Sequence, residues 1–193
     1  MKTFFYTILL TFTSTIYSQK SITVEDVVLP LSIKLKIDDL KTKLVLNGYG
    51  VRTKIFISLY IEGLYLVENS SDAKQILDSK EPMLIRLHLT SSLVTNKNIS
   101  EAINNGMKKT YTGKNFAPIQ SKMDEMVAFF KDDLKPEDNI DLIYNPLNDA
   151  IYVTLNDKTI GKVTGFDFKR ALFGIWLEEK PINKTLKSRL LGI

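Results

Sequence analysis

Few side chains in this sequence have the types and spacing that catalysis or ligand binding requires. The chain has 193 residues, with a single histidine and no cysteine. Those counts exclude disulfides, thiolate metal ligands, cysteine nucleophiles and multi-histidine metal sites. The loop carboxylates lack the spacing of a calcium loop, and the turn containing Gly48 and Gly50 is not followed by a predicted helix, as a phosphate-binding loop would be. We therefore predict no metal and no cofactor.

Arg52 and Tyr60 are the first candidates for ligand binding. Arg52 follows a glycine-rich turn signal at 47–50, and its guanidinium suits bidentate binding of a carboxylate. A surface arginine at a strand end explains the same position. Tyr60 suits a hydrogen bond to a ligand oxygen, or a place in the core. On one straight strand the two residues share a face but lie about 26 Å apart. Only a long amphiphilic ligand would reach both.

His88 lies in an alternating segment, 83–90, and shares its predicted face with Arg86. A histidine titrates near neutral pH and therefore suits general acid or base catalysis. The other interpretation is a strand histidine beside an arginine. No serine has a sequence context that suggests an activated nucleophile, so the residues considered individually predict no reaction.

Alternation of apolar and polar residues predicts about seven strands, mostly in hairpins, and four or five helices. One long strand is predicted over Val51 to Val67, interrupted at Gly63. The helices fall in two groups, one after residue 90 and one at the C-terminus. This order predicts an α+β fold in which helices cover one face of an antiparallel sheet. A pocket is expected between the sheet and the helices.

The N-terminus has the composition of a secretory signal peptide. Lys2 precedes a short apolar stretch at 4–12, and small or polar residues follow as far as Ser18. We predict a signal peptide at 1–18 and one domain at 19–193, exported to the periplasm or secreted; a buried first strand is the alternative. The remainder has no apolar run long enough to span a membrane. The charges of the full chain, +4 in total, are interspersed along the sequence and indicate no nucleic-acid surface.

Taken together, four regions of the sequence resemble the chalcone isomerase-like family, and in particular its exported bacterial branch. They occur in the family's order and span nearly the whole chain after the signal peptide: 46–52 with 59–66, 85–88, 165–177, and the tail from Pro181 to Gly192. The resemblance implies an open-faced β-sandwich, in which a helical layer covers a large antiparallel sheet and a ligand cleft lies between them.

The resemblance also bears on catalysis. The plant enzymes of the family close a chalcone ring by intramolecular oxa-Michael addition, supported by an arginine, a threonine, a tyrosine, a lysine and an asparagine. Arg52 matches the arginine and Asn105 the asparagine, whereas Tyr60 stands at the position of the threonine. Asn98 and Glu101 stand at the positions of the tyrosine and the lysine. The hydroxyl groups that organise water around the substrate ketone are therefore missing.

Other family members bind fatty acids without catalysis and hold the carboxylate with an arginine and a tyrosine, a pair that Arg52 and Tyr60 resemble. We therefore predict an exported protein that binds a fatty acid or similar apolar carboxylate and catalyses no reaction. The alternatives are an isomerase acting on a chalcone-like or other enone substrate, with His88 or Tyr65 as proton donor, and a structural or partner-binding envelope protein. The oligomeric state is not determined by the sequence. The predicted ligand-binding residues are Arg52, Tyr60, Asn105, Tyr65 and His88, and the predicted apolar wall is Phe56, Phe129, Phe168, Phe173 and Trp176.

Overall fold

A computed structural model of the chain describes residues 20–111 and 116–193. The signal peptide predicted at 1–18 lies outside the described residues. The strands are β1 (Ser21–Val24), β2 (Val27–Pro30), β3 (Ser32–Ile37), β4 (Leu40–Lys54), β5 (Ile57–Leu66), β6 (Met83–Leu89), β7 (Asn139–Asn145), β8 (Ala150–Leu155) and β9 (Lys158–Thr164). The helices are α1 (Ala73–Asp78), α2 (Asn96–Thr110), α3 (Ala117–Val127), α4 (Phe166–Leu177) and α5 (Lys184–Leu190).

The strands from β3 to β9 form one antiparallel sheet of seven strands, ordered as they occur in the chain. Strands β1 and β2 form a separate hairpin. The helices pack on one side of the large sheet, so the α+β architecture predicted from the sequence is confirmed. Among the described residues, no helix combines the length and apolar character needed to span a membrane.

The two faces of the sheet carry separate apolar cores. On the helix side, alternate strand residues pack against the helices. This larger core includes Leu64, Leu66, Ile85, Leu87, Leu142 and Val153 from the strands, and Ile103, Met123, Phe168 and Leu172 from the helices. The opposite face carries a smaller core. It is built from Leu35, Ile37, Leu40, Leu44, Tyr65, Leu84, Ile143, Ala150 and Tyr152.

The single strand predicted over Val51 to Val67 is wrong, because a tight turn divides it. Strand β4 ends at Lys54 and β5 begins at Ile57. The two residues between them, Ile55 and Phe56, have positive φ values of 49° and 65°. A turn of this kind normally carries Asn-Gly, so an Ile-Phe pair provides no turn signal in the sequence.

The turn predicted at 47–50 is also wrong, since these residues lie inside β4. The glycines there serve close packing against α5. A Cβ atom on Gly48 would overlap the backbone carbonyl of Arg189, and one on Gly50 would lie 2.7 Å from a methyl carbon of Leu186. Asn47 ties the same helix down, because its Nδ2 donates a hydrogen bond to the carbonyl of Leu190 at 2.8 Å.

Candidate functional site

The β4–β5 hairpin brings Arg52 and Tyr60 together. They are direct partners across the two strands, and Gly50 and Glu62 form the pair two residues further along the hairpin. Directly paired residues in an antiparallel sheet project from the same face. Tyr60 packs against the larger core, so this face is the one that the helices cover. The 26 Å separation that a straight strand implied therefore does not exist.

Helix α4 closes over the pair through Trp176. The indole Nε1 of Trp176 donates a hydrogen bond to the Tyr60 hydroxyl oxygen at 3.2 Å. Burial is the main cause that raises the pKa of Tyr60, and the nearby Glu62 raises it further. The Trp176 hydrogen bond, the Arg52 charge and a hydrogen bond with Arg52 oppose the rise. The phenol is therefore protonated at neutral pH and can donate to an acceptor brought beside it.

Arg52 keeps most of its hydrogen-bonding capacity. Its Nη1 donates to the carbonyl of Thr53 at 2.9 Å. Within the ranges that the structure describes, no carboxylate oxygen lies within 4.0 Å of the guanidinium. The side chain is half-buried. An arginine in this state can offer a bidentate fork to an incoming carboxylate without first breaking an ion pair.

Glu62 is the residue of this site that the sequence analysis missed. It is fully buried, and both of its carboxyl oxygens lack a hydrogen-bond partner among the described residues. Burial raises its pKa well above the usual range, and the Arg52 charge only partly opposes that rise. A raised pKa favours the protonated, neutral form of the carboxyl, and in that form Glu62 does not neutralise Arg52. The available sequence signal was a single acid inside the otherwise apolar segment 59–66.

The residues of the predicted apolar wall differ in burial: three are buried, one is half-buried and one is exposed. Phe168, Phe173 and Trp176 of α4 are buried in the larger core. Phe129 is half-buried and packs on that core, with its ring against Gly161 of β9. Phe56 does not belong to the wall: it is 99% exposed at the end of the hairpin, so that prediction is wrong.

Three predicted ligand-binding residues lie away from the Arg52–Tyr60 pair. Asn105 is exposed on α2. Tyr65 belongs to the smaller core on the opposite face of the sheet. His88 is paired with Ile61, and both point away from the helices; its Nδ1 lies 3.0 Å from Asn139 Oδ1. The structure therefore does not bring these residues into one site with Arg52.

The space over Tyr60 is occupied by the protein's own Trp176. Three cavities formed by described residues lie elsewhere on the molecule. One of about 340 Å³ lies near the hairpin, against Val51 and Thr53 of β4 and Leu186 of α5. A ligand that contacts both Arg52 and Tyr60 would therefore have to displace the indole of Trp176.

Comparison with known proteins agrees with this architecture. A sequence profile described as chalcone isomerase-like matches residues 21–192. The crystal structure of an Arabidopsis thaliana fatty-acid binding protein superimposes with a TM-score of 0.69, covering 89% of this chain and 96% of that chain. The two sequences are 19% identical, so this likeness concerns the fold. No curated protein sequence gives a significant match. From the profile match over almost the entire described chain, we conclude that the protein belongs to the chalcone isomerase-like family.

Proposed function

We propose that the protein binds a fatty acid or a similar apolar carboxylate between the β4–β5 hairpin and α4, and that it catalyses no reaction. The observation that carries this proposal is the direct pairing of Arg52 with Tyr60 on the helix-covered face. The fatty-acid binding title of the structural neighbour supports the choice of ligand.

The charges and hydrogen bonds of the site suit a monoanion. Arg52 supplies one positive charge and the Tyr60 hydroxyl supplies a donor. The raised pKa of Glu62 favours its protonated form, which leaves the positive charge of Arg52 uncompensated. A carboxylate would pair with the guanidinium and accept the Tyr60 proton in a hydrogen bond. The alkyl chain would take the place of Trp176 and lie along the apolar side of α4, where Phe173 is buried.

Replacing Arg52 by alanine is expected to weaken the binding of a long-chain fatty acid by about 10- to 100-fold, because a charge-assisted hydrogen bond contributes about 1.5–3 kcal/mol. Isothermal titration calorimetry measures this change. Lys54→Ala is the matched control, since it removes an exposed positive charge two residues further along the same strand. Undiminished affinity of Arg52→Ala, or a wild-type protein that binds no fatty acid, would contradict the proposal.

The isomerase alternative loses both of the proton donors named for it. His88 and Tyr65 lie on the opposite face of the sheet from Arg52. We therefore expect this protein to cyclise a chalcone no faster than buffer does, measured by the loss of chalcone absorbance. Cyclisation faster than buffer that is lost in Arg52→Ala would favour the isomerase.

We also propose that the protein is exported, to the periplasm or out of the cell, on the composition of residues 1–18. N-terminal sequencing of the protein from producing cells tests this proposal. A mature chain that begins after Ser18 is expected, and an uncleaved chain found in the cytoplasm would contradict it.

A further inference from the structure

The end of the β4–β5 hairpin exposes three consecutive large apolar side chains. Ile55 is 80% exposed, Phe56 99% and Ile57 43%. We call these three residues the hairpin tip. Single exposed apolar residues are common on proteins, but three together at a protruding turn form a patch that is typical of a binding surface.

The backbone conformation of the hairpin tip is also unfavourable for the residue types found there. Ile55 and Phe56 both adopt the left-handed region, with φ of 49° and 65°. That region favours glycine and asparagine and is costly for a β-branched residue such as isoleucine. The residues are therefore unfavourable both for the turn and for contact with water. Features that are costly in the isolated protein are often retained because of what they bind.

The charges around the hairpin tip indicate what kind of partner it fits. From Val51 to Ile61 the hairpin itself carries two positive side chains, Arg52 and Lys54, and no acidic one, while Glu25 of the β1–β2 turn lies beside Val51 and Thr53. An apolar turn next to two positive side chains suits a lipid bilayer, because apolar groups enter the acyl boundary and cations pair with the lipid phosphates. An apolar pocket on a partner protein would not require positive side chains next to the hairpin tip.

The dimensions agree with shallow insertion. Arg52 lies three residues before Ile55 in β4, a rise of about 10 Å along a strand. Apolar groups of interfacial proteins are buried about 5–10 Å below the headgroups. With the hairpin tip at that depth, Lys54 would lie among the phosphates and Arg52 at the bilayer surface.

We propose that the hairpin tip docks this protein on a lipid bilayer, with Ile55 and Phe56 inserted at the acyl boundary and Lys54 at the phosphates. Docking turns the Arg52–Tyr60 site towards the membrane, which is the source of its apolar carboxylate. The statement about the ligand source rests on the proposed function; the docking itself does not.

Cosedimentation of the full chain with vesicles of phosphatidylcholine and a minor share of phosphatidylglycerol tests the docking. The wild-type chain is expected to bind, and Phe56→Ser is expected to lower the partition coefficient about tenfold, because it removes a large inserted side chain. Leu147→Ser is the matched control: Leu147 is 66% exposed and lies between β7 and β8. Its partitioning is expected to equal that of the wild type.

A fluorescent variant reports on insertion directly. In Phe56→Trp, vesicles should shift the added indole emission to shorter wavelength and protect it from aqueous quenchers, over the constant signal of Trp176. A wild-type chain that does not bind vesicles, or a Phe56→Ser variant that binds as well as Leu147→Ser, would overturn the docking, and the hairpin tip would then be assigned to a protein partner.

The two proposals fail separately. Phe56→Ser should keep full affinity for free fatty acid in the absence of vesicles. Arg52→Ala should lose that affinity but lose less vesicle binding than Phe56→Ser, because Arg52 lies only at the bilayer surface. Loss of vesicle binding in Arg52→Ala equal to the loss in Phe56→Ser would overturn docking through the tip.

Discussion

Replacement of Lys169 by methionine is expected to lower the free energy of unfolding by about 3–5 kcal/mol. Lys169 is fully buried in α4. Its Nζ donates three hydrogen bonds to backbone carbonyls at the end of α1: to Ile76 at 3.0 Å, to Leu77 at 2.8 Å and to Ser79 at 2.9 Å. The ammonium therefore satisfies carbonyls that a helix C-terminus leaves without partners.

The physical reason for a large effect is what the substitution leaves behind. Methionine fills a similar volume but donates no hydrogen bond, so three carbonyls would lose their partner in a buried setting. Burial lowers the pKa of Lys169 to about 8; the Asp78 charge opposes this shift, and the Arg170 charge adds a smaller lowering. The ammonium form therefore predominates at neutral pH, and it supplies all three donors.

Urea unfolding followed by circular dichroism measures the loss. Lys74→Met serves as the control, because Lys74 is exposed on α1 and its ammonium pairs with Asp78 at 2.6 Å. An exposed pair of this type contributes about 0.5 kcal/mol. If Lys169→Met unfolds at the same urea concentration as Lys74→Met, the buried cap does not stabilise the junction of α1 and α4.

Replacement of Glu62 by glutamine is expected to remove a pH dependence of stability of about 1.4 kcal/mol per pH unit. The pKa of Glu62 is raised by burial in the folded protein, above its ordinary value of 4.5. Above that value the folded state keeps a proton that the unfolded state releases. Stability therefore falls as pH rises from 4.5, until the folded-state pKa is passed.

The surroundings of Glu62 indicate that this pH dependence of stability comes from Glu62 itself. Arg52 favours ionisation, while the side chain has no hydrogen-bond partner among the described residues that could hold the carboxylate. Tyr60, on the same face, stays neutral because burial raises its pKa. Glutamine is neutral at every pH, so Glu62→Gln should be more stable than the wild type at neutral pH, and the difference should grow with pH.

Urea unfolding at a series of values from about pH 5 to about pH 8 tests this expectation. Glu101→Gln is the control, since Glu101 is exposed on α2. Parallel pH profiles for the wild type and Glu62→Gln would show that Glu62 is ionised in the folded protein. In that case Arg52 would be partly neutralised, and the proposed carboxylate site would lose its net positive charge.

The alternation of residues predicted strands at 83–90, 138–144 and 150–155, and the structure has β6, β7 and β8 there, with ends that differ by one residue at most. The apolar segment after Gly165 was likewise enough to predict α4, the helix that lies over the site. These patterns are local, because a strand or a helix repeats its buried face at a fixed spacing along the chain. Together with the family-like segments, they determined the fold class and the candidate status of Arg52 and Tyr60.

Only the tertiary structure decided how those candidates meet. The Ile-Phe turn has no local signal, so the pairing of Arg52 with Tyr60 follows from the register of the hairpin. The glycines at 48 and 50 predicted a turn from the local sequence, whereas in the structure they allow α5 to pack close to β4.

Burial of charge was equally hidden from the sequence. Glu62 and Lys169 are charged residue types in apolar segments, and each is fully buried. Periodicity shows which residues share a face, but the partners that cover this face come from distant parts of the chain. Lys169 finds its acceptors about ninety residues earlier in α1, and Trp176 meets Tyr60 across 116 positions. The identity of the residues was thus set locally, while their protonation, their accessibility and their use as a site depend on contacts that only the folded chain makes.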